Sequence, residues 1–239
     1  MTNSQDVAAS TSTSIHAQQG EAQPALVLVN LGTPTAPEPG PVRAFLREFL
    51  SDRRVIEMSP LLWKPILEGI ILRVRPREVA AKYRSIWMEE GSPLMHYTRE
   101  QARRLGERLP GVRVEVAMRY GQPSIGSVLD CLHADGVRRV AILPAYPQYA
   151  ASTVTTINDA VAQWIGRNRD GFEMRLHRSF PAAPAYIEAL AIALERHWER
   201  VGRPNFLTGD RVVVSFHSIP VAMDEAGDPY RAECRRTVA

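Results

Sequence analysis

ALVLVNLGTP, residues 25–34, decides how the chain is read. Ala25 to Val29 is an unbroken apolar run that closes on Asn30, Gly32 and Pro34. A strand with one wet face alternates apolar and polar residues. One that does not alternate is buried on both faces, as in a parallel sheet. Arg211–Phe216, inside RVVVSFHSIP (211–220), reads as a second strand of the same kind.

Between these two runs the period changes repeatedly. Val112–Met118, Val137–Leu143 and Phe172–His177 read as strands. Pro41–Leu50 carries Val42, Phe45, Leu46 and Phe49 at helical spacing. Val79–Trp87 reads as a helix broken by GSPL at 91–94. Thr98–Leu109 follows, with Thr98 as N-cap and Gln101 completing a capping box. Further helices are read at Ser124–Asp135 (closed by Gly136), Thr153–Arg167, Ala185–Trp198 and from about Tyr230 onward. Leu61–Val74 is apolar nearly all round, interrupted by Pro65 and Gly69. It reads foremost as a buried, kinked helix, with a greasy lip over a pocket or against a membrane surface as the alternative. This order predicts an α/β fold, a parallel sheet with helices on both faces.

A loose internal echo extends that prediction. ALVLVNLGTPTAPEPG and RVVVSFHSIPVAMDEAGDP share a layout of apolar strand, polar turn, proline, small residues and proline. Duplication of an α/β domain would produce it. The expected organisation is a disordered tail over 1–23, a first α/β domain over 24–180, and the unfinished start of a second over 181–239.

Composition narrows the class. The 239 residues are 45% hydrophobic and 23% charged, with a net charge of +3. The weak, scattered positive charge argues against a nucleic-acid partner. Cys131 and Cys234 are far apart and show no metal-ligand spacing, which fits a reducing compartment. Residues 1–23 lack Lys and Arg, as neither a secretory signal nor a mitochondrial presequence would. No apolar run reaches the roughly 18 residues of a membrane span. A cytoplasmic protein is expected. No feature of the sequence specifies an oligomeric state.

Ligands of open α/β sheets sit beyond the carboxyl ends of the strands. Those ends are NLGTP (30–34), RYGQP (119–123), PAYPQYAAST (144–153) and SFHSIP (215–220). They offer no G-x-G-x-x-G, no P-loop and no G-x-S-x-G elbow, so a nucleotide or a serine hydrolase is not indicated. His217 is the foremost candidate. A neutral imidazole at a strand end can ligate a metal or accept a proton near pH 7. Arg119 and Tyr120 at another strand end would suit a flat anionic ligand. Tyr149 could pack or hydrogen-bond in the same cleft, and Arg53 and Arg54 could clamp a carboxylate.

LVNLGTP, YRSIWMEEGSPL, AMRYGQPSI, LPAYPQYAAST and VVSFHSIPVAMDEAGDPYRAEC occur in the order and spacing of one family. The chain resembles the ferrochelatases, which insert ferrous iron into a porphyrin to make haem. The resemblance implies two Rossmann-like, chelatase-type domains facing across a porphyrin cleft, the second incomplete here. It makes His217 the active-site histidine, and Asn30, Arg119, Tyr120 and Tyr149 the pocket lining. It implies protoporphyrin IX and Fe²⁺ as substrates and no other cofactor. Ala151 stands where some members place a cluster-ligating cysteine, so no iron–sulfur cluster is expected. Residues 61–74 become a candidate peripheral membrane contact. Family members continue well beyond this length and place there an acidic residue that faces the histidine. A fragment is therefore expected, with a non-catalytic porphyrin- or haem-binding module as the alternative function and a cobalt or nickel chelatase as a third reading.

Overall fold

The computed structural model describes residues 23–239. The tail expected over 1–23 lies, apart from Gln23, outside them.

Strands β1 (Ala25–Gly32), β2 (Arg113–Tyr120), β3 (Arg139–Pro144) and β4 (Glu173–Leu176) form one parallel sheet in the order β2-β1-β3-β4. β1 is internal, with Leu28 beside Val116 on one edge and beside Leu143 on the other. Val27, Leu28 and Val29 are all buried, which is why the run does not alternate.

Helices cover both faces. On one, α5 (Ile125–Ala134) and α6 (Thr156–Arg167) supply Leu129, Leu132, Ile157, Val161 and Trp164, which close over Val27, Val29 and Ile142. Ser124 caps α5 by accepting the Ser127 N–H at 3.1 Å. On the other face, α4 (Pro93–Arg108) crosses β1 and β2. A second cluster joins α1 (Pro39–Ser51) to α3 (Leu72–Ile86) through Val42, Phe45, Leu46, Leu72 and Ala80.

Three expectations need correction. Thr98 does not start a helix: α4 begins at Pro93 with Ser92 at the N-cap position. Proline is pre-organised for a first helical position, so it wins over the box at Thr98. The Thr98 hydroxyl instead donates to the Leu94 carbonyl at 2.6 Å inside the helix.

Residues 61–74 are not buried. α2 (Pro60–Ile66) runs through a π turn (Leu67–Ile71) into α3, and only Leu67 and Leu72 are buried there. Leu61 is 87% and Val74 69% exposed. A segment apolar all round can bury only the side that meets a neighbour, here α1, and the rest of its apolar surface stays exposed.

Arg211–Phe216 forms no strand. No strand among the described residues runs alongside to complete a ladder, and Val213 is 86% exposed. The echo of β1 therefore corresponds to no second sheet among the described residues. Around this stretch lie α7 (Pro184–Val201), α8 (Val221–Glu225) and α9 (Tyr230–Val238).

Gly32 explains the glycine of NLGTP. At φ +117° it pairs with Tyr120, and a Cβ there would lie 1.8 Å from the Tyr120 carbonyl oxygen. The glycine serves strand packing rather than a phosphate. Gly32→Ala is expected to cost about 3 kcal/mol through strain and overlap, measured as a lowered urea midpoint.

Candidate functional site

The connection from β1 leads to β2 on one edge, and the return from β2 passes β1 to reach β3. The carboxyl ends of β1 and β3 thus flank a topological switch point, where α/β sheets bind ligands. A cavity of about 410 Å³ opens there, bounded by Leu31 at the end of β1 and Tyr146 just after β3. Its size falls within the range of about 300–1,000 Å³ for small-molecule and cofactor sites. Phe49 of α1 and Val55 give an apolar side. Gln148, Ala150, Ser152 and Thr153 form a second wall, where the chain enters a π turn (Ala151–Thr155) leading to α6. His217 to Pro220 form the third, backed by Met223 of α8 and Tyr230 of α9.

His217 therefore reaches the cavity, although its segment is no strand. Tyr230 lines the same cavity as His217, and burial raises the Tyr230 phenol above its ordinary range.

Behind Phe49 and Tyr146 lies a polar cluster whose centre, Asp52, sequence reasoning missed. One carboxylate oxygen of Asp52 accepts Arg119 Nη2 at 2.5 Å and the Tyr120 hydroxyl at 2.9 Å. The other accepts the Arg54 backbone N–H at 2.8 Å. Asp52 follows α1 directly, so the helix end aims it. Tyr120 is fully buried and its ring meets Phe49 edge-on at 5.2 Å. Burial pushes the Tyr120 phenol well up, against the opposing pull of Arg119. Burial raises the Tyr146 phenol likewise. The Tyr146 hydroxyl and Arg119 Nε are buried without a hydrogen-bond partner among the described residues.

The other candidates are spread around this centre. Asn30 turns to α4: its Nδ2 donates to Thr98 Oγ1 at 2.9 Å and its Oδ1 accepts the Leu31 N–H at 2.8 Å. Tyr149 stands beside the cavity wall, its hydroxyl 2.5 Å from Thr155 Oγ1 and its ring under the Arg178 guanidinium at 4.5 Å. Arg54 pairs with Asp159 at 2.9 Å. Arg53 lines a separate cavity of about 420 Å³ with Trp63 and Lys64. Of the candidates, only His217 lines the cavity; Tyr149 sits between the lining residues Gln148 and Ala150, and Arg119 and Tyr120 lie behind Phe49 and Tyr146. Asn30 and Arg53 lie elsewhere, and Arg54 meets the Asp52 cluster through its backbone N–H while its side chain pairs with Asp159.

Sequence reasoning also passed over Tyr146, Asp228 and Glu233. Asp228 accepts the Ala151 N–H at 2.7 Å, and Glu233 accepts the Tyr149 N–H at 2.7 Å. A signal existed in the acidic residues of SDRR and GDPYRAEC, but their partners are distant in sequence.

A model of the ferrochelatase family matches residues 23–239. A ferrochelatase of Methylibium petroleiphilum is 48% identical over 226 residues, covering 93% of this chain and 61% of its own length. One of Azoarcus sp. is 46% identical over 225 residues, covering 93% and 61%. A protein named ferrochelatase 1 of Shewanella oneidensis is 46% identical over 217 residues, covering 89% and 64%. The α/β sheet with its switch-point cavity is thus that of a chelatase-type domain. The chain belongs to the ferrochelatase family, and it spans about three-fifths of the length of these curated relatives.

The raised phenols set an alkaline signature. Tyr120 and Tyr146 keep their protons in the folded chain beyond the value of about 10 at which an unfolded tyrosine loses its own. Their contribution to stability is complete below about pH 10 and is lost as pH rises through their folded range. Tyr146→Phe is expected to lessen that alkaline loss. At neutral pH it removes an unpartnered buried hydroxyl and should stabilise by about 1 kcal/mol, both effects being read in urea unfolding at several pH values.

Proposed function

We propose that the protein is a ferrochelatase, a lyase that inserts ferrous iron into protoporphyrin IX to form protohaem in haem biosynthesis. The observation that carries this reading is the cavity at the switch point with His217 in its wall, in a chain of the ferrochelatase family. Fe²⁺ is a substrate rather than a resident cofactor, and the reading includes no iron–sulfur cluster.

Metallation requires the loss of two pyrrole N–H protons and the removal of water from the iron. A planar macrocycle holds its nitrogen lone pairs inward, so the site must hold it bent and open one face to the metal. The apolar side formed by Leu31, Phe49 and Val55 suits a flat hydrophobic ring. His217, in another part of the cavity lining, in this reading takes a proton or hands over the metal where bulk water competes less. In this reading Arg119 and Tyr120 shape the floor through Asp52, and Tyr149 shapes the adjoining wall. Asn30, Arg53 and Arg54 remain proposed porphyrin contacts that the closed ligand-bound form would have to bring in.

The setting is the cytoplasm, with the exposed apolar residues of 61–74 as a peripheral membrane contact and the whole chain as the opening part of a two-domain enzyme. Among the described residues, no helix is long and apolar enough to cross a membrane.

Anaerobic incubation of the chain with ferrous iron and protoporphyrin IX tests the activity, read as loss of porphyrin fluorescence. Turnover above the uncatalysed rate is expected. Porphyrin binding with no turnover would favour the non-catalytic module instead, and absence of both would overturn the reading. His217→Ala is expected to lower insertion at least about 100-fold, the usual scale for a lost proton-transfer group, while porphyrin still binds. Wild-type turnover in that variant would remove His217 from the chemistry.

A further inference from the structure

Residues 211–219, which carry His217, enter no backbone–backbone hydrogen bond among the described residues. No sheet holds this wall of the cavity, so something else must. The hydrogen bonds across the cavity's rear supply it.

Glu233 of α9 is 3% exposed. Its Oε2 accepts the Tyr149 N–H at 2.7 Å, and its Oε1 accepts Arg178 Nη1 at 2.6 Å and the Ser179 hydroxyl at 3.1 Å. Asp228, just before α9, spans the same gap. Its Oδ2 accepts the Ala151 N–H at 2.7 Å, and its Oδ1 accepts the Tyr230 N–H at 3.0 Å. Ala151 opens the π turn that leads into α6, so Asp228 supplies, from a distant part of the chain, the anion that a helix N-terminus favours. Gln148 Nε2 adds a third link by donating to Thr237 Oγ1 at 2.8 Å.

We infer that Glu233 and Asp228 are positioning residues, a two-carboxylate latch that sets the His217 wall against the Gln148–Thr153 wall. The inference rests on reading this cavity as the porphyrin site. Neither carboxylate lines the cavity. They act through Tyr149 and Ala151 on one side and, on the other, through Tyr230, whose N–H Asp228 accepts and which lines the cavity together with His217. Both receive only donors, so the charged form is matched and an amide is not. A glutamine at 233 would turn its NH₂ toward either the Tyr149 N–H or the Arg178 guanidinium. The same-shape variant therefore breaks the latch without leaving a void.

Asp228→Asn and Glu233→Gln, made separately in the 239-residue chain, test this by amide hydrogen exchange, by the His217 imidazole resonance in NMR, and by protoporphyrin IX titration. Each variant is expected to speed exchange at least tenfold at both Tyr149 and Ala151, including the amide whose own acceptor is intact. Exchange at Val29 and Ile142 in the sheet should stay unchanged. The His217 resonance should shift, and porphyrin affinity should fall at least fivefold.

Faster exchange only at the amide whose acceptor was replaced would overturn the latch. So would an unmoved His217 resonance, or unchanged porphyrin affinity with both amides released. If the wild-type chain binds no porphyrin, the functional reading fails, while exchange and the His217 resonance still decide the latch. Should Glu233→Gln not fold, the less buried Asp228→Asn carries the same test.

Discussion

Parallel pairing of β1 on both its edges governs where this chain can hold a ligand. The connection from β1 leads to β2 on one side, and the connection from β2 must return past β1 to reach β3 on the other. The crevice that results cannot be closed by the sheet itself. Residues just past the strand ends must fill it, and Leu31 and Tyr146 do so from the two strands that part there. The close approach of Gly32 to Tyr120 belongs to the same constraint. It brings the β2 end, with Arg119 and Tyr120, under the floor of the crevice.

That floor is polar but nearly neutral. Asp52 offsets Arg119 at 2.5 Å, and burial keeps the phenols of Tyr120 and Tyr146 protonated. A floor of this kind holds its geometry through fixed hydrogen bonds and does not present a strong net field to what lies above it. Phe49 and Leu31 add apolar surface to the cavity lining.

The features legible in sequence are those that local pattern decides. The unbroken run of β1, the helical spacing of Val42, Phe45 and Leu46, and the cap at Ser124 each record burial or bonding within a few residues. Three misreadings arose where a neighbour in space or a stronger competing signal decides the outcome. Apolarity all round in 61–74 does not say which side meets α1. Thr98 loses its cap to the Ser92–Pro93 start a few residues earlier. Arg211–Phe216 has strand composition, but a strand exists only beside another. In the site, His217 stood out as a polar residue ending an apolar run. Asp52, Asp228 and Glu233 did not, because Arg119, Ala151 and Tyr149, to which they bind, lie 67, 77 and 84 residues away. An acidic residue looks like a solvated surface group until the fold brings its donors to it.

The links across the rear of the cavity also bear on the order in which the molecule assembles. They join residues 77, 84 and 89 positions apart, whereas the α5 cap spans three. Contacts of such separation carry the entropy of closing a long loop and are rewarded only once both ends are already structured. During synthesis from the N-terminus, all four strands are available before α9 has been made. The sheet and its helices can therefore form first, and the cavity takes shape last, when the far end of the chain folds back onto it.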